Sequence, residues 1–315
     1  MFIFLVSIAS SAFYFPHEEK SFLSWMRTTN QIYTGEEYQL RFGIYLINSR
    51  FVKDHNKQNA KYTLSLNKFA CYTPSEYKSL LHHQKTSTER TSTFTGKTAN
   101  TNTFDWRTKN VVNPIEDMEQ CGADWAFATI QSIESVYAIS SGQLKKFSEQ
   151  HLIDCVSSCS GCKGGDSNTA TQFIIDNGGF VCLRNDYQYT GIQSECKYDF
   201  SPHIGPIISK YYEVPEGNEE DMAVKIELWG PAYAIVDASN ASFQLYNSGI
   251  YNEPNCDPYI LNLSVGVVGY GVEDEVKYWI VRNAWGKAWG ESGYMRMLRA
   301  NNQCGIASWA SVVVP

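Results

Sequence analysis

Cysteine and histidine are the side chains best suited to nucleophilic attack and proton transfer near neutral pH. This chain has nine of the first and six of the second, and they are unevenly placed. Eight cysteines lie between Cys121 and Cys304, whereas the last histidine is His203, so no imidazole follows it. His151 and His203 read as surface or structural histidines. Cys159 and Cys162 form one C-x-x-C, but a zinc site needs a second pair at matching spacing, and none occurs. No metal or cofactor is expected, and disulfides account better for the cysteines. With Cys71 far upstream, eight remain for four bridges.

Asp124 opens the run 124–137, in which Ala126, Ile130, Ile133 and Tyr137 fall on one helical face. A carboxylate can act as nucleophile or general base, but each role needs a partner group. At a helix's first turn an Asp also accepts orphan backbone N–H bonds, a cap worth about 0.5–2 kcal/mol. That reading requires no chemistry. Asn240-Ala241-Ser242 and Asn262-Leu263-Ser264 are N-glycosylation acceptor patterns.

The elements that must position these residues change character along the chain. Gly142 ends the helix begun at Asp124, and a second helix covers 148–155. From about Tyr211 the runs 232–238, 265–270, 277–282 and 293–297 alternate as strands between turn residues. A helical first half and a β-rich second half make an α+β protein with two lobes. Upstream, Phe22, Trp25 and Met26 keep a helical period, and Tyr38, Phe42, Tyr45, Ile47 and Val52 suggest a longer helix. Leu64, Leu66 and Phe69 alternate like a strand, and Thr73-Pro74 with Glu76 reads as a capped helix start.

The 315 residues suit one large domain with an accessory segment. A hydrophobic fraction of 43% excludes a largely disordered chain. A net charge of −7 argues against a nucleic-acid partner. Charge is also segregated: residues 15–103 hold 12 Lys or Arg against 7 Asp or Glu, and residues 104–315 hold 14 against 26. A basic front segment should dock on an acidic body. Residues 1–12, apolar and ending in small residues, read as a cleaved secretory signal, so a secreted or lysosomal/vacuolar product is expected. No later apolar run could span a membrane. Residues 84–103, dense in Thr and Ser, read as a flexible linker between a segment at 17–83 and a body at 104–315.

Along nearly its whole length the chain resembles the papain-like (cathepsin L-like) cysteine peptidases. Glu37, Arg41, Tyr45, Asn48, Val52 and Asn56 fit the interrupted helix pattern of the family's inhibitory propeptide, and Asn67-Lys68-Phe69-Ala70 its next motif, with Cys71 where the family has Asp. Phe104 to Arg107 resembles a mature N-terminus. Gln120-Cys121-Gly122, Trp125 to Phe127, Ser148 to Gln150 with Asp154-Cys155, and Gly161 to Gly165 follow in family order. Val265 to Gly271 and Trp279 to Gly293 complete the set. The resemblance implies a papain-like fold of a helical lobe and a β-barrel-like lobe, preceded by a helical inhibitor-type propeptide. It also implies the bridges Cys121–Cys162, Cys155–Cys196 and Cys256–Cys304, and leaves Cys159 and Cys182 to pair with each other.

The family's chemistry needs a thiolate, an imidazole, an orienting amide and an oxyanion-binding Gln. By resemblance the thiol position holds Asp124, the imidazole position Leu263 and the Gln position Met118, with Glu119 in place of the next Gly. Asn283 alone keeps the family residue, as the orienting amide. Losing one member of such a set costs roughly 10³- to 10⁶-fold, so with three replaced no amide hydrolysis is expected. The opposing position is Leu, so Asp124 has no second carboxyl to work with either. The expectation is a monomeric non-catalytic homologue that binds extended peptide or protein between the lobes, along Gly164 and Gly165. Alternatively those glycines serve only the turn after Cys162. The front segment could also engage active papain-like peptidases. Family membership alone would instead suggest an active cysteine endopeptidase.

Overall fold

The computed structural model describes residues 15–58, 60–81, 92, 96–198, 202–205 and 207–315. The expected signal at 1–12 and most of the 84–95 stretch lie outside these. In chain order the elements are α1 (Pro16–Thr28), α2 (Gly35–Asn56), β1 (Tyr62–Leu64), α3 (Pro74–Lys78), β2 (Phe104–Asp105), α4 (Asp124–Ser141), α5 (Glu149–Cys155) and α6 (Ser167–Asp176). Then come β3 (Val181–Cys182), β4 (His203–Ile204), β5 (Lys210–Glu213), α7 (Glu219–Trp229), β6 (Ala232–Val236), α8 (Ala241–Gln244) and β7 (Tyr246–Tyr251). The chain closes with β8 (Leu263–Glu273), β9 (Val276–Arg282), β10 (Tyr294–Leu298) and β11 (Ala310–Val314).

Helix α4 is the spine of the helical lobe, and fourteen of its eighteen residues are buried. The buried positions therefore run all round the helix rather than along one stripe, and polar residues are among them. Gly142, in the left-handed region at φ 71°, returns its N–H to Ala138 and ends the helix as expected. Helix α5 is capped by Ser148, whose Oγ accepts the His151 N–H. The second lobe is a nine-stranded sheet ordered β1-β7-β10-β9-β8-β6-β11-β5, with β2 pairing onto β8. Long central β8 is buried over its first nine residues, and α4 packs on it. A continuous core joins both lobes and the front segment.

Within the front segment, Phe22 packs on Tyr38, Phe42 and Tyr45, fastening α1 to α2. Ile47 departs from the expected stripe and is 68% exposed. It stands about 200° around the helix from Tyr45, on the solvent side. Thr73 and Glu76 form the anticipated capping box of α3. The last part of the expected linker is held rather than loose. The Glu227 carboxylate accepts the backbone N–H groups of Asn100 at 2.9 Å and Thr101 at 3.2 Å.

Three bridges form, Cys121–Cys162, Cys155–Cys196 and Cys256–Cys304. The fourth does not: Cys159 and Cys182 are free and buried, as is Cys71. The two thiols belong to different packing units, Cys159 to the main core and Cys182 to a small cluster with Cys155 and Tyr187. Burial pushes both thiols up, to about 11 and about 12, so neither supplies a thiolate near neutral pH.

Candidate functional site

Asp124 is the first residue of α4, 1% exposed, with Ala123 as the preceding cap residue. Its Oδ2 accepts the backbone N–H of Ser264 on β8 at 2.5 Å. The resolved bond therefore crosses from one lobe to the other instead of closing the helix's own first turn. Burial pushes the Asp124 carboxyl up to about 7, against the opposing pull of N–H groups at Ser264, Trp125 and Asp124 itself. Oδ1 has no hydrogen-bond partner among the described residues.

Leu263 begins β8, directly before Ser264, and is fully buried. Asn283 is 3% exposed, and its Oδ1 accepts the Ala284 N–H at 2.8 Å. Its Nδ2 finds no acceptor among the described residues. A buried donor left unmet in this way carries a desolvation cost. Met118 is fully buried; its N–H donates to the Ala284 carbonyl at 2.8 Å and its carbonyl accepts the Tyr189 hydroxyl at 2.6 Å. It holds the loop against the second lobe and offers no side-chain donor. Glu119, next along, takes φ 58°, a left-handed backbone suited to glycine.

A narrow interlobe space is lined by Asp124, Gln131, Ser264, Asn283, Glu116 and Glu149, among others. The acids in it other than Asp124 are matched by cations. Lys146 pairs with Glu134 at 3.0 Å and Glu149 at 2.6 Å as well as with Glu116, and Arg184 pairs with Glu149 and Glu116. Gln131 lies one and a half to two turns along α4 from Asp124, and neither amide atom is partnered among the described residues. Sequence reasoning did not single out Gln131, which is one of several polar residues in α4. No cluster of three or more His, Cys, Asp or Glu able to hold a metal occurs among the described residues.

Gly164 and Gly165 are both buried. Gly164 has φ 109° and its carbonyl accepts the Ser160 N–H, closing the turn after Cys162. A Cβ at Gly165 would stand 2.6 Å from the Trp125 ring and 2.9 Å from Cys159 Sγ. A positive φ at Gly164 and close packing at Gly165 thus account for glycine at the two positions. His151 is 1% exposed, between Phe173, Tyr187 and Tyr198, rather than at the surface. His203 is exposed and stacks on the other side of Tyr198.

The front segment crosses the joint between the lobes. On one side Lys68 pairs with Asp117 at 2.5 Å and Gln120 donates to the Tyr72 hydroxyl at 2.9 Å. On the other, Asn67 donates to the Gln244 carbonyl, Gln244 donates to the Phe69 carbonyl, and the Tyr77 hydroxyl donates to Ala238. Phe69 stands edge-on to Trp285 at 5.0 Å, and β1 pairs antiparallel with β7.

This two-lobed body with a helical segment laid across its joint defines a class. Residues 100–314 match the papain family cysteine protease domain and residues 22–77 the cathepsin propeptide inhibitor domain. The chain belongs to the papain family, with cathepsin L-like relatives. It is 35% identical to cysteine proteinase 5 of Dictyostelium discoideum, over 99% of this chain and 97% of that one. It is 36% identical to cathepsin L of Sarcophaga peregrina, over 87% and 86%. Among solved structures, digestive procathepsin L 3 of Tenebrio molitor larval midgut superposes with TM-score 0.85 at 31% identity, covering 95% of this chain and 99% of that one. The recombinant stem bromelain precursor gives TM-score 0.85 at 34% identity, over 95% and 99%. Such relatives, with the same front domain and the disulfides, fit a secreted or lysosomal route. No described helix is long and apolar enough to cross a membrane.

Proposed function

We propose that this chain is a non-catalytic papain-family protein whose interlobe cleft binds an extended peptide or protein segment. One observation carries the reading: the residue at the thiol position is a buried carboxyl that accepts the Ser264 N–H, while the imidazole position holds the buried Leu263. Neither attack on a carbonyl nor protonation of a leaving amine has a group to perform it. The route is secretory, and the protein acts as a monomer without metal, cofactor, nucleic acid or membrane.

A covalent thiol-directed epoxide and a fluorogenic peptide substrate test this on the full chain after its front segment has been removed. The expected result is neither labelling nor turnover, together with micromolar peptide binding by titration calorimetry. Turnover that survives removal of contaminating hydrolases would restore the cysteine-endopeptidase alternative. Absence of any peptide ligand would remove the binding half of the proposal.

A second reading is favoured by the way the front segment docks. Asn67, Phe69 and Tyr77 make their contacts to backbone carbonyls, a side-chain amide and an aromatic ring, and none of these involves a catalytic group. The same segment could therefore occupy the cleft of an active papain-like peptidase. Unchanged turnover of such a peptidase with segment 17–83 added, once that segment is verified as helical, would rule this out.

A further inference from the structure

The two Asn-X-Ser triplets sit in unlike surroundings. The Asn262 carboxamide is fully used. Its Nδ2 donates to Ser239 Oγ at 2.7 Å and to Asp237 Oδ1 at 3.2 Å, and its Oδ1 accepts the Ala238 N–H at 2.9 Å. A sugar on that nitrogen would remove one of the two donors and wedge between the 237–239 loop and β8. Leu263 and Ser264, the next residues, are buried in β8 beside Asp124.

Asn240 shares the partial exposure of Asn262 but differs in its bonds. It precedes α8 without making a side-chain cap bond, and it is partly exposed. Its Nδ2 makes one long contact, 3.9 Å to Cys256 Sγ, a weak acceptor at the Cys256–Cys304 bridge. One amide hydrogen can be replaced there at little cost. The Ser242 hydroxyl of this triplet is 3% exposed and bonded to Tyr251 at 3.0 Å and Glu253 at 2.7 Å. That hydroxyl is accessible only before α8 and β7 pack, so the modification must precede folding of this lobe.

We propose that Asn240 carries an N-linked glycan and that Asn262 does not. In the transfer, Asn240 Nδ2 bonds to the anomeric carbon of an oligosaccharide carried on a lipid pyrophosphate. The carbon–oxygen bond to the pyrophosphate breaks, the pyrophosphate leaves with the electron pair, and the amide gives up one proton. The remaining amide hydrogen stays available to Cys256. Glycosylation here leaves the Asp237–Asn262–Ser239 bonds, and hence the approach to Leu263 and Ser264, undisturbed. The proposal depends on the secretory route and not on whether the cleft is catalytic.

The full chain secreted from eukaryotic cells is treated with peptide N-glycosidase in heavy-oxygen water, which converts a formerly glycosylated Asn into labelled Asp, and is then mapped by mass spectrometry. Label at position 240 and none at 262 is expected. In gels, the glycosidase-dependent shift should vanish in Asn240→Gln and persist in Asn262→Gln. Mapping the unsubstituted protein keeps the test valid if a variant fails to fold. Label at 262, with or without 240, or label at neither, overturns the assignment.

Discussion

Oδ2 of Asp124 accepts the backbone N–H of Ser264 at 2.5 Å, which ties the first turn of α4 to the start of β8. This hydrogen bond between the lobes is made by a carboxyl with its pKa raised to about 7. In the unfolded chain that carboxyl sits at about 3.9. Between about pH 4 and about pH 7 the folded protein thus holds a proton that the unfolded chain has lost, and stability falls as pH rises through this window.

Asp124→Asn should remove that loss, because its amide oxygen can still accept the Ser264 N–H. We expect equal stability near pH 4 and, near pH 8, a gain of up to about 4 kcal/mol. Urea unfolding at the two pH values measures it. A variant weaker than the parent at pH 8 would mean that the ionised form is the stabilising one.

His151 acts with the opposite sign. Burial, and secondarily the nearby His203, lower its pKa from 6.5 to about 4. Tyr187 and Tyr198 pack against it, and the Tyr187 hydroxyl donates to Asp154, which shares α5 with His151 and Glu149. The unfolded chain takes up a proton first, so stability falls as pH drops from about 6.5 to about 4. His151→Phe should flatten that limb by up to about 3 kcal/mol. Thermal midpoints at pH 7 and pH 4.5 should lie closer together than in the parent, and an unchanged gap would contradict the assignment.

Gly165→Ala tests whether the glycine pair serves packing. The added methyl would meet the Trp125 ring and Cys159, and overpacking of this kind costs about 1–3 kcal/mol. A denaturation midpoint equal to the parent's would return the position to a role in ligand contact alone.

Docking of the front segment should rest on Phe69 more than on Lys68. Phe69 is 2% exposed and faces Trp285; its replacement by Ala should cost about 3–5 kcal/mol. The Lys68–Asp117 pair is partly exposed, so Lys68→Ala should cost about 0–1 kcal/mol. Hydrogen exchange at β1 amides reports both, and equal effects would show that charge governs docking.

Rebuilding the site requires more than a thiol. Asp124→Cys alone places sulfur opposite Leu263 and should not react with the epoxide. Combined with Leu263→His and Met118→Gln, it supplies an imidazole whose second ring N–H can donate to Asn283 Oδ1, and labelling should appear. Labelling of the single variant at the same rate would show that the imidazole position is elsewhere.

The fold was legible because its signals are local and repeated: the period of α4, the Ser148 and Thr73 caps, and the β-rich runs between turn residues all appear where they were expected. Ile47 misled, since a helix's apolar residues include some that face water, and period alone does not tell which. Cys159 and Cys182 misled because pairing by elimination ignores which packing unit each thiol enters. The acidic stretch 216–221 looks like a solvated loop, yet Asp221 is fully buried against Lys225 in α7. The Asp124–Ser264 bond spans 140 residues, and no spacing rule connects a helix start to a strand amide in another lobe. The unmet donor of Asn283 was likewise invisible, because a side chain's partners are set by the fold around it.

Pairing of β1 with β7 also has a bearing on what happens if the front segment is cut away. The Ile250 N–H now meets the Lys61 carbonyl at 3.0 Å, and the Leu245 carbonyl meets the Ser65 N–H at 2.8 Å. Without those partners, β7 becomes the sheet's bare margin, a ready template for any passing extended chain. Trimmed protein should accordingly scatter more light at high concentration than the intact form does.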